Sequence, residues 1–470
     1  MGLIKIKKES AKIGLALWFA GMWSWSLQTD SLELAGNKKQ GLIIAFIVLL
    51  INVFISTGVI LFFMTLANLI KRKVTIWIFI PILLILFSLA DFMAAWVPAV
   101  LWIGPQGRID SVLPLGSASL LLLRTPFIFS SRLVGFYGLA SFVWVFLYLF
   151  IIKSLRKFSV VPVILLSVLS LIGWGLYKKP NGHTISAVIV SETLTERRPP
   201  ISVTDENLVL FPEYGFDKID NQKLKNRIIS ASGNTHKTYF IGSMQVYKKS
   251  RMGHENRLYE GNTKEGFTTQ QDKYRLIPGG EDLPYIVNIA LRATGQNSTI
   301  NYFSYAKSVI KGDRQLTNFE ISPGVRIGSA VCSSIIAPQD YRTFTKNGAT
   351  ILTNSASLKP FNGSRLFAWQ QQSYGRFMAV ANSRYFLQSA NSASAYVFDN
   401  NGKKIIEVSN NKTAKINIVS NDTVTIYTRF GEVMVWLGAF STIVIILLHY
   451  ARFEGRTKKY IKNFKKWLST

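Results

Sequence analysis

The chain has a single cysteine, Cys332, at the end of the largely apolar run Val325–Val331. Without a second cysteine, a disulfide framework and a multi-cysteine metal site are both excluded. The residue is then either a small buried hydrophobe or a reactive thiol. Two charged residues are of interest beside it. Glu213 closes the apolar stretch Leu208–Pro212, and Lys273 opens a Pro- and Gly-containing segment that runs to Pro284. Taken singly, they read as a surface acid and a solvated cation. Together the three supply what acyl transfer requires: a nucleophile, a base for its proton, and positive charge where an oxyanion develops. Other chemistries lack their residues. His183, His236, His254 and His449 are scattered, with no zinc-ligand pair, and there is no glycine-rich phosphate loop or G-x-S-x-G elbow. No cofactor is called for.

The elements that must position these groups alternate between strand and helix. Ile185–Val190, Leu208–Phe211 and Thr238–Val246 are short apolar runs suited to buried strands. Val325–Val331 leads into Cys332, Pro338–Lys346 reads as a helix, Ala349–Thr353 as a strand and Arg365–Ser383 as a helix. Ser394–Phe398 and Lys404–Val408 bracket Asn400-Asn401-Gly402, a hairpin turn signal. The alternation predicts an α/β sandwich.

That region is one part of 470 residues that are 49% hydrophobic and only 17% charged. The charge deficit lies in the first 180 residues and the last 45. A membrane span needs about twenty apolar residues, and 10–27, 41–70, 74–95, 134–152, 158–177 and 430–449 qualify. The net charge of +28 does not indicate nucleic acid, because its densest runs flank the apolar segments: Lys5–Lys12, Lys71–Lys73, Lys153–Lys157 and Arg452–Lys466. Lys and Arg beside spans mark cytoplasmic loops and meet anionic headgroups. Crossing in sequence places both termini in the cytoplasm and 182–429 outside. The expected organisation is a transmembrane bundle at 1–181 (about five to seven spans), an extracytoplasmic domain at 182–429, and a final helix with a basic tail at 430–470. The total is six or eight spans, and the first is not expected to be a cleaved signal. Residues 96–133 do not form a clean span. They read as a loop in the interface or as a partly inserted segment lining a lipid entry path. Asp91, inside a span, is a functional candidate or an ordinary helix–helix hydrogen-bonding residue.

Three segments in order carry a resemblance: Leu208-Val209-Leu210-Phe211-Pro212-Glu213, Lys273-Tyr274-Arg275-Leu276-Ile277-Pro278-Gly279-Gly280-Glu281-Asp282-Leu283-Pro284, and Arg326-Ile327-Gly328-Ser329-Ala330-Val331-Cys332. They resemble the Glu, Lys and Cys motifs of the nitrilase superfamily. The lysine segment is most similar to that of the apolipoprotein N-acyltransferases. Gly135-Phe136-Tyr137-Gly138-Leu139-Ala140-Ser141-Phe142 and Tyr427-Thr428-Arg429-Phe430-Gly431 resemble that family's membrane-part motifs.

The resemblance implies an αββα nitrilase-like domain on a polytopic α-helical membrane domain, in the bacterial inner membrane. It makes Cys332 the nucleophile, Glu213 the general base and acid, and Lys273 the oxyanion stabiliser together with the backbone N–H of Ser333. Glu281 resembles the second glutamate that positions the lysine. The implied reaction moves a fatty acyl chain from a phospholipid, through a Cys332 thioester, to the amino-terminal amine of a diacylglyceryl-cysteine lipoprotein. The chain departs from the family pattern around the cysteine, where Ser333-Ser334 replaces Tyr-Glu, and in Asn354–Lys359 and Arg376–Arg384. A membrane-tethered amidase, a transferase with another amine acceptor, and a non-catalytic lipoprotein-binding relative are the alternatives.

Overall fold

The computed structural model describes residues 2–30, 38–71, 74–176, 180, 182–193, 201–203, 207–217, 221–230, 237–248, 253–303, 309–409 and 411–447. Among these, four helices are long and apolar enough to cross a membrane: Lys38–Lys71, Ile76–Leu101, Pro126–Ile151 and Lys153–Gly175. We call the first two α2 and α3; the third opens with a 3-10 turn before α4 (Ser131–Ile151), and the fourth contains α5 (Val160–Gly175). Large apolar side chains stand exposed along them, Phe54, Phe62, Trp77 and Leu171 among others, as a lipid-facing surface requires.

Two of the six spans expected from the sequence, 10–27 and 430–449, are not among these four. Helix α1 (Gly2–Trp23) carries Lys5, Lys7, Lys8, Glu9 and Lys12 in its first half, and a 3-10 turn (Ser24–Gln28) follows it. The last is an apolar helix at Val433–Leu447, and the basic tail Arg452–Lys466 lies outside the described residues. Gly438 lets this final helix approach α3: a Cβ there would come within 2.3 Å of the Ile85 carbonyl oxygen.

Residues 102–130 form loops and 3-10 turns with Leu120, Leu123 and Ile128 buried. Asp91 of α3 fixes this segment. It accepts hydrogen bonds from Ser117 Oγ, from the Ala118 amide (3.1 Å) and from Trp144 Nε1 of α4 (2.7 Å). Its carboxylate therefore joins two helices and a loop.

Thirteen strands form one connected sheet: β1 (Thr184–Glu192), β2 (Leu208–Leu210), β3 (Tyr239–Lys248), β4 (Gly253–Asn262), β5 (Gly266–Asp272), β6 (Val309–Ile310), β7 (Asn318–Ser322), β8 (Val325–Val331), β9 (Ile351–Ser357), β10 (Tyr385–Asn391), β11 (Ala395–Phe398), β12 (Lys404–Val408) and β13 (Lys412–Val419). The connection between its two parts is narrow. β1 meets β10 only at Ser191–Ala390 and Glu192–Asn391, and β13 pairs along most of β1.

Apart from that hinge the sheet is two halves built to one pattern. In the first, β1, β2 and β3 run parallel, flanked by antiparallel β13, β4 and β5. In the second, β10, β9 and β8 run parallel, flanked by antiparallel β11, β12 and β7. The halves face each other over a shared core in which Ile185, Ile189 and Leu210 join Ile327, Ile351 and Leu387. Gln271 of β5 donates to the Ser329 carbonyl of β8, and Tyr239 packs edge-on to Phe319, so the sheet nearly closes on itself.

Strand alternation assigns the outer faces. Val188 and Val190 of β1 point away from the shared core into a separate cluster with Phe211, Phe216 and Leu224. The outer face of the second half is covered by α6 (Pro338–Lys346) and α7 (Arg365–Asn382), whose Tyr341 and Phe377 belong to the same apolar core as Phe87 and Phe136 of the membrane helices. Leu224 of the separate cluster lies on the helix Asn221–Arg227, so helix, sheet, sheet, helix is the αββα arrangement expected from the sequence.

The two membrane-part motifs also meet. Gly135 has φ +77, and Glu432, just after Gly431, accepts hydrogen bonds from the Phe136 and Tyr137 amides at 2.9 and 3.1 Å. A Cβ on Gly135 would lie 2.6 Å from that carboxylate. Arg132 donates to the carbonyls of Gly173, Val380 and Asn400, tying α4 to α5 and to the second half of the sandwich.

Candidate active site

Ligand sites of open α/β sheets lie at the carboxyl ends of parallel strands, and all three residues singled out from the sequence converge there. Glu213 follows β2, Cys332 follows β8, and Lys273 follows β5. Lys273 Nζ lies 3.2 Å from Glu213 Oε1 and 2.7 Å from Glu281 Oε1. Glu281 is held in turn by the Ile277 amide, which donates to its Oε2 at 3.0 Å. The lysine segment thus folds back so that its own glutamate grips its own ammonium.

Cys332 has φ +46, a left-handed conformation that is costly for a side chain with a Cβ. It marks a tight turn between β8 and the 3-10 helix Cys332–Ile336. The turn presents the thiol at the strand end, where Sγ points to the Ser357 carbonyl at 3.6 Å and interacts with the Glu213 carboxylate. Ser333 Oγ donates to the Arg275 carbonyl, linking the cysteine turn to the lysine segment. Arg275 pairs with buried Asp340 at the start of α6.

Burial governs the electrostatics. It pushes the Glu213 carboxyl up, with the Lys273 ammonium and the hydrogen bond from the thiol acting against it. It pushes the Cys332 thiol up as well, and the facing Glu213 carboxylate adds to the effect. Burial alone would lower Lys273, but Glu213 and Glu281 outweigh it, so the ammonium is held well above its ordinary range. The thiol is therefore held neutral at rest, and the ammonium beside it is held charged.

One functional neighbour gives no signal in the sequence. Asn256, on β4, donates from Nδ2 to Glu213 Oε1. It stands in a polar strand, Gly253–Asn262, with no motif around it. Only the pairing of β4 with β3 brings it to Glu213.

Glu213 and Cys332 open into a cavity of about 550 Å3, within the ~300–1,000 Å3 range of small-molecule sites. The cavity reaches from Glu213, Cys332 and Ser333 to Ile44, Ala45 and Val48 of α2 and to Leu113 and Leu115 of the 102–130 segment. Of the two readings of residues 96–133, this placement favours a segment that lines a path to the site.

Residues 207–428 match the carbon-nitrogen hydrolase family, so the chain carries a nitrilase-type catalytic fold. Among solved structures it is similar to Saccharomyces cerevisiae Nit3, a member of branch 10 of the nitrilase superfamily (12% identity, TM-score 0.37, covering 52% of this chain and 92% of that one). A CN-hydrolase superfamily protein from Xanthomonas campestris (16%, 0.35, 50% and 91%) and an amidase from Nesterenkonia sp. (12%, 0.34, 53% and 94%) are similar too. No curated protein matches the sequence significantly.

Proposed function

We propose that the chain is a membrane-bound N-acyltransferase that moves a fatty acyl chain from phospholipid to the amino-terminal amine of a diacylglyceryl-cysteine lipoprotein. The observation that carries this reading is the cavity. A soluble amide hydrolase needs a route from water to its thiol. Here the cavity runs from Cys332 to α2, whose neighbouring Leu42, Ile43 and Phe46 are exposed apolar side chains.

Glu213 takes the thiol proton as sulfur attacks the ester carbonyl, and the negative charge passes to the carbonyl oxygen, which Lys273 and the Ser333 N–H stabilise. Collapse breaks the C–O bond, and Glu213 returns the proton to the departing lysolipid oxygen. The acceptor amine then attacks the thioester carbon and loses its proton to Glu213, and the thiolate leaves and recovers that proton. The raised thiol fits a concerted transfer, since a free thiolate is not formed in advance.

Purified protein incubated with phospholipid and no acceptor should gain the mass of one acyl chain on Cys332, removable by hydroxylamine. Cys332→Ala should not gain it. Adding a diacylglyceryl lipopeptide should transfer the chain to its amine. An acyl-enzyme that persists in its presence would point to a different amine acceptor, the reading that Ser333-Ser334 favours. No acyl-enzyme at all would leave the non-catalytic reading.

A further inference from the structure

The cavity wall farthest in sequence from the triad is not uniformly apolar. Trp25, Ser26 and Thr29, in and after the 3-10 turn that follows α1, line it, and so does Asn52 of α2. Trp25 Nε1, Ser26 Oγ, Thr29 Oγ1 and Asn52 Nδ2 are all buried without a hydrogen-bond partner. Asn52 is completely buried, and its Oδ1 already accepts from Trp102 Nε1 at 2.8 Å, so its amide nitrogen is the end left without an acceptor. The 3-10 turn packs on α2, and Trp25 stacks on Trp23 and lies 4.9 Å from the Phe367 ring.

Four unmet polar groups against one cavity are a cost unless something answers them. Two of the four can only donate and two are hydroxyls, and none is charged. The set suits neutral acceptor oxygens more than an anion, which would call for a cation in the wall.

The height of the set narrows the ligand. Helix α2 has 34 residues, about 51 Å at ~1.5 Å per residue, against a hydrocarbon core of ~30 Å. With Lys71 at one boundary, Asn52 stands 19 residues away, about 29 Å along the axis, at the opposite boundary. Lipid ester carbonyls lie at that level.

We infer that Trp25, Ser26, Thr29 and Asn52 form a subsite for the ester oxygens of a glycerol-linked diacyl lipid, seating the donor at the bilayer boundary while its reacting carbonyl reaches Cys332. The inference extends the transfer reading above, but it is tested by binding and not by turnover. The full chain carrying Cys332→Ala, in detergent, is offered a diacyl phosphatidylethanolamine or its diether analogue, which has the same head and tails but no carbonyls. Retained lipid is counted by native mass spectrometry. Asn52→Leu, Ser26→Ala and the near-isosteric Thr29→Val should each lower diester retention about three- to tenfold, the worth of one neutral hydrogen bond. The diether should be held equally weakly by all. Equal retention of diester and diether by the parent, or losses that fall on both lipids alike, would overturn the subsite. Ester-selective retention that Asn52→Leu abolishes, in a protein whose wild type never acylates Cys332, would uphold the subsite and reject the transfer reaction.

Discussion

The two halves of the sandwich repeat one strand pattern and differ in what surrounds them. The second half, whose strand β8 leads into Cys332, turns its outer face onto the membrane helices, where Phe136 of α4 packs edge-on to Phe377 of α7 at 5.2 Å. The first half has its own small outer cluster, and it carries two buried charged groups of the site, Glu213 and Lys273 at the end of β5, with buried Glu260 on β4. The proposed nucleophile, with the Ser333 N–H beside it, thus rides on the half packed against the membrane-length helices, and the proposed base and cation, Glu213 and Lys273, ride on the other. Lipid reach and charge chemistry are separated across the gap between the halves. They meet only where strand ends converge.

The largest expected effect comes from removing the cation of the first half. Lys273→Ala should cut acyl-enzyme formation by about two to three orders of magnitude, since one oxyanion donor contributes roughly 3 kcal/mol. Lys273→Arg should not restore it, because a planar fork cannot replace a compact ammonium gripped by two carboxylates. Single-turnover mass spectrometry gives the answer, and near-normal acylation in either variant would take Lys273 out of the reaction and erase the division of labour.

On stability, the acid inside the sandwich has the large effect. Burial pushes Glu260 up to about 8, and Ser329 of the other half is its neighbour. Unfolded, the group titrates near ~4.3. Between those values the folded chain holds a proton that the unfolded chain has released, so stability falls as pH rises through the window, by up to ~1.4 kcal/mol per pH unit. Below about 4 the contribution is fully present, and above about 8 it is lost. Glu260→Gln should flatten this dependence in thermal unfolding from pH 5 to 8. Parallel curves for the two proteins would show that Glu260 is ionised in the fold, and that the gap is not the dry core described.

This contrast also sets what could be read in advance. The second half was largely legible: the expected helix Pro338–Lys346 matches the structure, and the hairpin around Asn400-Asn401-Gly402 joins β11 to β12. Its residues obey simple periodicity because they serve packing. The strands β4 and β5 were missed, since Gly253–Asn262 is His-Glu-Asn-Arg-rich and its inward positions include Asn256 and Glu260. β10 (Tyr385–Asn391) was missed for a related reason: it is buried on both faces yet ends in Gln-Ser-Ala-Asn, where the site begins. The three residues that converge at the strand ends, Glu213, Lys273 and Cys332, were singled out by motif order alone. Asn256 and the orphaned donors of the turn after α1 were not, because only tertiary pairing brings them to the cavity.

Docking of the second half can be loosened without touching the chemistry. Gln370 of α7 is buried and donates from Nε2 to the Met22 and Leu115 carbonyls, at 3.0 and 2.8 Å. Gln370→Leu leaves both carbonyls without that donor and should cost about 2 kcal/mol, read as a lower melting temperature in detergent. Acyl-enzyme formation per folded molecule should hold on a short-chain ester small enough to need no bilayer anchoring. An equal loss there would mean that the membrane contacts shape the thiol site itself.

The smallest effect tests the first half most directly. Asn256 Nδ2 donates to Glu213 Oε1, the oxygen that Lys273 also approaches. A hydrogen bond to the ionised form favours that form, so Asn256→Leu should raise Glu213 further above its ordinary range. The base must be unprotonated to take the thiol proton, so the acid limb of the acylation rate should move to higher pH. A shift of about one unit corresponds to ~1.4 kcal/mol, the size expected when one bond to a charged group is lost. At pH values well above that limb the variant should approach the wild-type rate, because Lys273, Glu281 and Cys332 are untouched. That return separates a tuning role from a structural one: misfolding would lower the rate at every pH, and an unmoved limb would mean that Lys273 alone sets the ionisation of Glu213.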